Sequence, residues 1–299
     1  MTASTQIVFR RARRTRSGLG EVWTDILLLA PGCGFLLLAM VVPVVQLGLA
    51  SLGLFGLGRP SQFTLDNYAQ VFGDSLLRGG FFFSLRIALA TMVVSVVVAT
   101  LLTALLQIDF PGRRLVSVLY KIPLVVPSLV AAFLVLTMIG PGGMAARLLA
   151  PLHVTWPSFV HDQSGIGIVI VLLWHNIPVT VLIVSAVAAA IPRDLVDAAR
   201  NLGASPWRVF RHIIGPLCAP GISAAALLVF IDSFGTYAIP SLIGPAYPRA
   251  ISVVMTTEFL QHANWGLASA LGVVLIVTTA VVLVLYYRLM ARLREQAPA

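Results

Sequence analysis

"DLVDAARNLGASPWRVFRHIIGP", residues 194–216, is a polar island in an apolar chain. It holds six ionisable side chains: Asp194, Asp197, Arg200, Arg208, Arg211 and His212. Long hydrophobic runs flank it on both sides. Pro192 suits a first helical turn, where its missing N–H costs nothing. Asp194 and Asp197 favour the positive end of the helix dipole. Leu195, Ala198, Ala199 and Leu202 follow the i, i+3, i+4, i+7 spacing of one apolar stripe. Gly203 stands where a left-handed residue terminates a helix. Ser205–Pro206 then reads as an N-cap followed by proline at N1. Trp207, Phe210 and Ile214 begin a second stripe, and Gly215–Pro216 is expected to end it. The expectation is two short amphipathic helices joined at a glycine.

The surroundings narrow what this hairpin can be. Of the 299 residues, 59% are hydrophobic and 10% charged, against about 25% charged in soluble domains. Mean hydropathy is +0.96. A membrane span needs about 20 mostly apolar residues, and six stretches qualify: 26–51, 81–106, 115–139, 166–190, 219–243 and 266–288. The first follows an Arg cluster, as in a signal peptide. It is much longer than the roughly 7–15 apolar residues of a signal peptide, so it is expected to be a retained span. The chain divides into a basic tail (1–25), one membrane domain (26–290) carrying the hairpin (192–216), and a tail (291–299).

Charge sets the orientation. Nineteen of the 20 basic residues are arginine, and Lys121 is the only lysine. Fourteen arginines fall before residue 26, in 107–114, in 191–218 and after 287. Four (Arg59, Arg78, Arg147, Arg249) fall in the alternate loops. The positive-inside rule then places both termini and the hairpin in the cytoplasm. Arg86 and Lys121 lie within two turns of span ends, where snorkelling accounts for them. The basic excess is topological, which removes most support for a nucleic-acid role. A helix-turn-helix reading of the hairpin also fails, because both its ends run straight into spans. A headgroup-level connector and a protein-docking surface are left. Cys33 and Cys218 sit in or beside apolar runs and read as small hydrophobes. The histidines show no metal-ligand spacing, and no nucleophile–base set is present.

The hairpin resembles the EAA signature of permease subunits of ATP-binding-cassette importers. That pattern is Glu-Ala-Ala, three residues, Gly, nine residues, Ile, one residue, Leu-Pro. Here it stands as Asp197-Ala198-Ala199, Gly203, Ile213 and Gly215-Pro216. Asp197 replaces Glu and keeps its charge; Gly215 replaces Leu and removes a packing side chain. The resemblance implies an all-α, six-transmembrane-helix, type I (methionine-importer-like) permease fold with both termini inside. It also implies that Asp197, Ala198, Ala199, Gly203, Ile213 and Pro216 belong to a coupling helix docked on an ATPase. The implied partners are two ATPase subunits, a second permease subunit (a heterodimer) and an external solute-binding protein. ATP and Mg would sit on the ATPase, with no cofactor in this chain. A P-loop needs G-x-x-x-x-G-K-[ST], and the single lysine is followed by Ile122, so this chain is not expected to be an enzyme.

Three further stretches, "FTLDNYAQVF" (63–72), "FIDSFGTYAIPSLIG" (230–244) and "NWGLASALGVVLIV" (264–277), resemble spermidine/putrescine-type permeases. Permeases for phosphonates, ferric iron, sulfate and sugars share parts of them. The implied solute is polyamine-like or another small organic cation. Asp232 lies near the middle of the fifth span, where an acid costs about 2.5–3.5 kcal/mol on insertion scales. It either lines a path for cations, or is protonated or paired with another intramembrane polar group. Ser233, Tyr237 and Trp174 are further pathway candidates. From other classes, a stand-alone secondary transporter would work without ATP, and a membrane-anchored sensor would transport nothing.

Overall fold

The structure, a computed structural model, describes residues 19–55, 62–152 and 159–295. The Arg cluster at 10–16, Arg59, the 1–18 part of the tail and the end of the C-terminal tail lie outside these residues. The described residues form thirteen α-helices and no strand. These are α1 Leu19–Ser51, α2 Asp66–Gly73, α3 Ser75–Leu106, α4 Arg113–Leu119, α5 Ser128–Ile139, α6 Met144–Leu149, α7 Ile166–Ala189, α8 Arg193–Asn201, α9 Pro206–Val209, α10 Gly215–Gly235, α11 Ala238–Ile243, α12 Ile251–Leu260 and α13 Trp265–Glu295. Six segments are long and apolar enough to cross a membrane: Leu27–Ser51, Ser75–Leu106, Ser128–Leu152, Ile166–Ala189, Pro206–Gly235 and Trp265–Arg288.

The centre of the bundle is α3, packed lengthwise against α7 and α10. Beyond Leu77, Phe83 and Ile87 near its start, its buried residues are small or weakly polar: Gly80, Ser84, Ala88, Thr91, Ser95, Ala99 and Thr103. In lipid, helices gain little by burying apolar surface against each other, so close backbone approach through small residues is the usual basis of contact. Gly221 on α10 serves the same purpose, since a Cβ there would lie 2.6 Å from Val187 Cγ2 of α7. By contrast, α1 is peripheral. Its apolar residues from Leu27 to Val45 are largely exposed, and it packs against α13. Its outer end is fixed to α2, where Asn67 Nδ2 donates to the Ser51 carbonyl at 2.9 Å.

Three sequence expectations need correction. The second span begins at Ser75 rather than 81, because Asp74 caps it by accepting from the Leu76 N–H at 2.7 Å. The expected third span, 115–139, is broken. A 3-10 turn over Ile122–Val125 and an extended Val126 (ψ 121°) separate α4 from α5. Pro123 and Pro127 cause this, since each lacks an N–H and Pro127 excludes helical geometry at the residue before it. Lys121 sits in this break, 5.6 Å from the Tyr120 ring.

The expected fifth span, 219–243, also divides. It ends at Gly235, Thr236 is extended, and 238–243 form the separate α11, packed on α5 and α7. The Ser252 hydroxyl holds the gap by donating to the Thr236 carbonyl at 2.5 Å. Arg86 does more than snorkel. Its guanidinium donates to the carbonyls of Gln163 and Ser164 at 3.3 and 2.8 Å, tying α3 to the start of α7.

Candidate coupling hairpin and intramembrane polar pair

The hairpin is built by its caps. Helix α8 ends with Gly203 in the left-handed region at φ +80°. The Ala204 N–H donates to the Ala199 carbonyl at 3.0 Å and the Gly203 N–H to the Arg200 carbonyl at 2.9 Å. These are the two bonds of a Schellman motif, and Ala199 and Ala204 supply its apolar contact. Ser205 then caps α9, accepting from the Arg208 N–H at 3.4 Å.

The expected stop at Gly215–Pro216 does not occur. A π-turn over Phe210–Ile214 joins α9 to α10 in one helical run from Pro206 to Gly235. Pro216 cannot donate into a regular helix, and the wider turn lets the chain pass it; the Gly215 N–H bonds the Phe210 carbonyl across five residues. A Cβ at 215 would lie 3.1 Å from that same oxygen, so glycine suits the position where the signature has Leu.

Packing fixes the hairpin to the bundle. Val209, Ile214 and Cys218 form its buried core, with Val196, Ala199, Ala204, Phe210 and Ile213 against them. Val187, Ala188 and Ile191 complete the cluster from the end of α7. The expected stripe of α8 is therefore corrected. Ala199 packs inward with Val196, while Leu195, Ala198 and Leu202 face outward, Leu202 being 89% exposed. On α9, Trp207 is 58% exposed and stacks on Phe210, ring centroids 5.7 Å apart. Asp197 and Pro216 are exposed. The result is a hairpin anchored on one face, with an unpartnered apolar face beside it.

The second group lies inside the bundle. Asn176 of α7 donates from Nδ2 to Asp232 Oδ2 of α10 at 3.1 Å, and also to the Leu172 carbonyl at 3.1 Å. Thr180 donates to the Asn176 carbonyl at 2.9 Å. Asn176 is buried, whereas Asp232 is exposed in this single chain. Ser233 is buried with its hydroxyl unpaired, as is His175 Nδ1. Trp174 is half-buried on the core cluster around Leu172, and Tyr237 is exposed at the start of α11.

Two bonds fix the register of α3 against α7. Arg86 reaches Ser164, 78 residues on, and Thr103 reaches Ser185, 82 residues on at 3.3 Å. The helices thus run parallel, and Thr91 and Ser95 lie level with the stretch that ends at Asn176. Their hydroxyls are also buried and unpaired. An unmade hydrogen bond of a buried group costs about 1–3 kcal/mol, so this level of the bundle is unusually polar. The sequence reading named Asp232, Ser233 and Trp174, but it missed Thr91 and Ser95. Their only sequence signal was four-residue spacing among small residues.

Residues 91–295 match the model of the family described as binding-protein-dependent transport system inner membrane component. The chain belongs to this family. The matched region contains the hairpin and the Asn176–Asp232 pair. The permease is 27% identical to the spermidine/putrescine transport system permease protein PotB of Haemophilus influenzae, over 74% of each chain. It is 33% identical to the trehalose transport system permease protein SugB of Mycobacterium tuberculosis, over 58% of this chain and 57% of that one.

Two solved structures share its fold. One is a bacterial ABC transporter involved in import of the acidic polysaccharide alginate (TM-score 0.79, 17% identity, 91% of this chain and 98% of that one). The other is the MetNI methionine ABC transporter in inward-facing conformations (TM-score 0.57, 19% identity, 73% and 96%). The permease is therefore a multi-pass inner-membrane component of an ABC importer, with the all-α type I fold. The family is a transport component rather than a catalytic one.

Proposed function

We propose that the permease forms half of a pathway for a small organic cation, polyamine-like in chemistry, driven by ATP hydrolysis on a separate ATPase subunit. The observation that carries the solute class is Asp232. Its carboxylate, paired with the neutral amide of Asn176, has no cationic partner among the described residues. An intramembrane acid with no counter-charge among the described residues favours a cation beside it. The similarity to PotB supports the same class. A neutral sugar is the second reading, and the similarity to SugB favours it. Ser233, Tyr237 and Trp174 are assigned to the same pathway.

The outward face of the hairpin supports coupling. Leu195, Ala198 and Leu202 offer apolar area next to Asp197, suited to insertion into a groove on the ATPase. ATP and Mg would be held by that subunit. A second permease subunit, a different chain in this reading, and an external solute-binding protein would complete the assembly. Inside this assembly, closure of the ATPase pair would push the hairpin, and α10 would carry the motion to Asp232.

The test is ATP-driven uptake by the whole complex in vesicles, with spermidine and trehalose as competing solutes. Asp232→Asn is expected to lower spermidine uptake at least tenfold with the complex intact. Unchanged spermidine uptake in that variant, or uptake by the chain without any ATPase, would refute the reading.

A further inference from the structure

A cavity of about 260 Å³ lies between the cytoplasmic foot of α3 and the hairpin. Leu101, Ala104, Leu105 and Ile108 line one wall, and Val196, Trp207, Phe210 and Ile214 are among those lining the other. The volume is slightly below the roughly 300–1,000 Å³ of small-molecule pockets. The polar side chains among its lining residues are those of Gln107 and Arg200, both exposed. Among the described residues the ion pairs are Arg113–Asp109 and His262–Glu258, which leaves Arg200 without a carboxylate. The cavity faces Val196 and Arg200, one turn apart on α8, whereas the face assigned to the ATPase carries Leu195, Ala198 and Leu202.

We propose that this cavity holds an acyl chain of an anionic phospholipid from the cytoplasmic leaflet, with the headgroup phosphate on Arg200. Three features converge. The walls are hydrocarbon-like, and the cavity lies at the C-terminal end of the spanning helix α3. One wall is a spanning helix whose Leu101 and Leu105 are exposed in the single chain. The lining includes an exposed guanidinium with no carboxylate partner among the described residues, and basic pockets between helices on the cytoplasmic side suit anionic headgroups. A bound chain would wedge α3 against the hairpin.

The experiment uses the assembled importer purified in mild detergent. Its retained lipids are measured by native mass spectrometry after exchange into equal phosphatidylglycerol and phosphatidylcholine. Retention of phosphatidylglycerol about fivefold over phosphatidylcholine is expected, the ratio that about 1 kcal/mol per basic residue gives. Arg200→Gln should bring the ratio to unity, Ala104→Phe should lower both lipids, and Arg113→Gln should behave as wild type.

A second measurement needs no variant. A phosphatidylglycerol with a photoactivatable acyl chain should label peptides covering 101–108 and 206–214 of the unaltered chain. Equal retention of the two lipids by wild type would overturn the proposal. So would labelling confined to other helices, or an ATPase segment cross-linked into the cavity.

Discussion

Replacing Gly203 by valine tests whether the geometry of the hairpin matters to coupling. A Cβ added at 203 meets no atom within 4 Å, so crowding there is not the issue. The cost is in the backbone, because φ is +80°. A left-handed conformation costs roughly 1–2 kcal/mol for an L-residue, and a β-branched one is worse placed there. The chain can escape this strain only by giving up the Ala204→Ala199 and Gly203→Arg200 bonds, worth about 0.5–1.5 kcal/mol each. Either route leaves about 1–2 kcal/mol against the observed hairpin, a factor of roughly 5–30 in its ratio to the relaxed turn. Recovery of the ATPase on tagged permease, at matched permease levels, should fall by that factor in Gly203→Val. Gly203→Asn, which tolerates the left-handed region, should recover most of it. Equal ATPase recovery by the valine variant and wild type would refute the argument that this turn sets the docking surface.

Other variants separate docking, packing and pathway. Leu202→Glu changes the most exposed apolar residue of the hairpin; it should leave the thermal stability of the permease within about 0.5 kcal/mol while lowering ATPase recovery and uptake, which co-purification and vesicle assays would read. Gly221→Val forces a Cβ to within 2.6 Å of Val187 and should destabilise the α7–α10 contact by about 1–3 kcal/mol, seen as a lower unfolding temperature in detergent.

How much of this was legible differs by element. The membrane spans were legible because twenty apolar residues in a row have few other uses. Gly203 and Ser205 were legible because caps are local chemistry, and both turned out to sit at the caps. The breaks at 120–127 and at Thr236 were not, since hydropathy is unchanged across them and only the backbone preferences of proline, or a bond from distant Ser252, create them. The π-turn was hidden for a similar reason, as Gly215–Pro216 reads as a stop unless five-residue bonding is considered. Val196 was passed over in favour of Leu195 because which edge of α8 packs inward is decided by α7 and α10. Asn176 and Asp232 could each be noticed, but 56 residues separate them, and only the antiparallel packing of α7 and α10 brings them together.

The helical run from Pro206 to Gly235 joins the second arm of the hairpin to the fifth span through the π-turn. From Pro206 to Asp232 it is about 39 Å long at 1.5 Å per residue. A rocking of about 5° at the cytoplasmic end would carry Asp232 sideways by about 3 Å over that length. That equals the whole length of its bond to Asn176. A small push on the cytoplasmic face, if carried stiffly past the π-turn at Phe210–Ile214 and past Pro216 and Pro220, would therefore be enough to unlatch that polar contact.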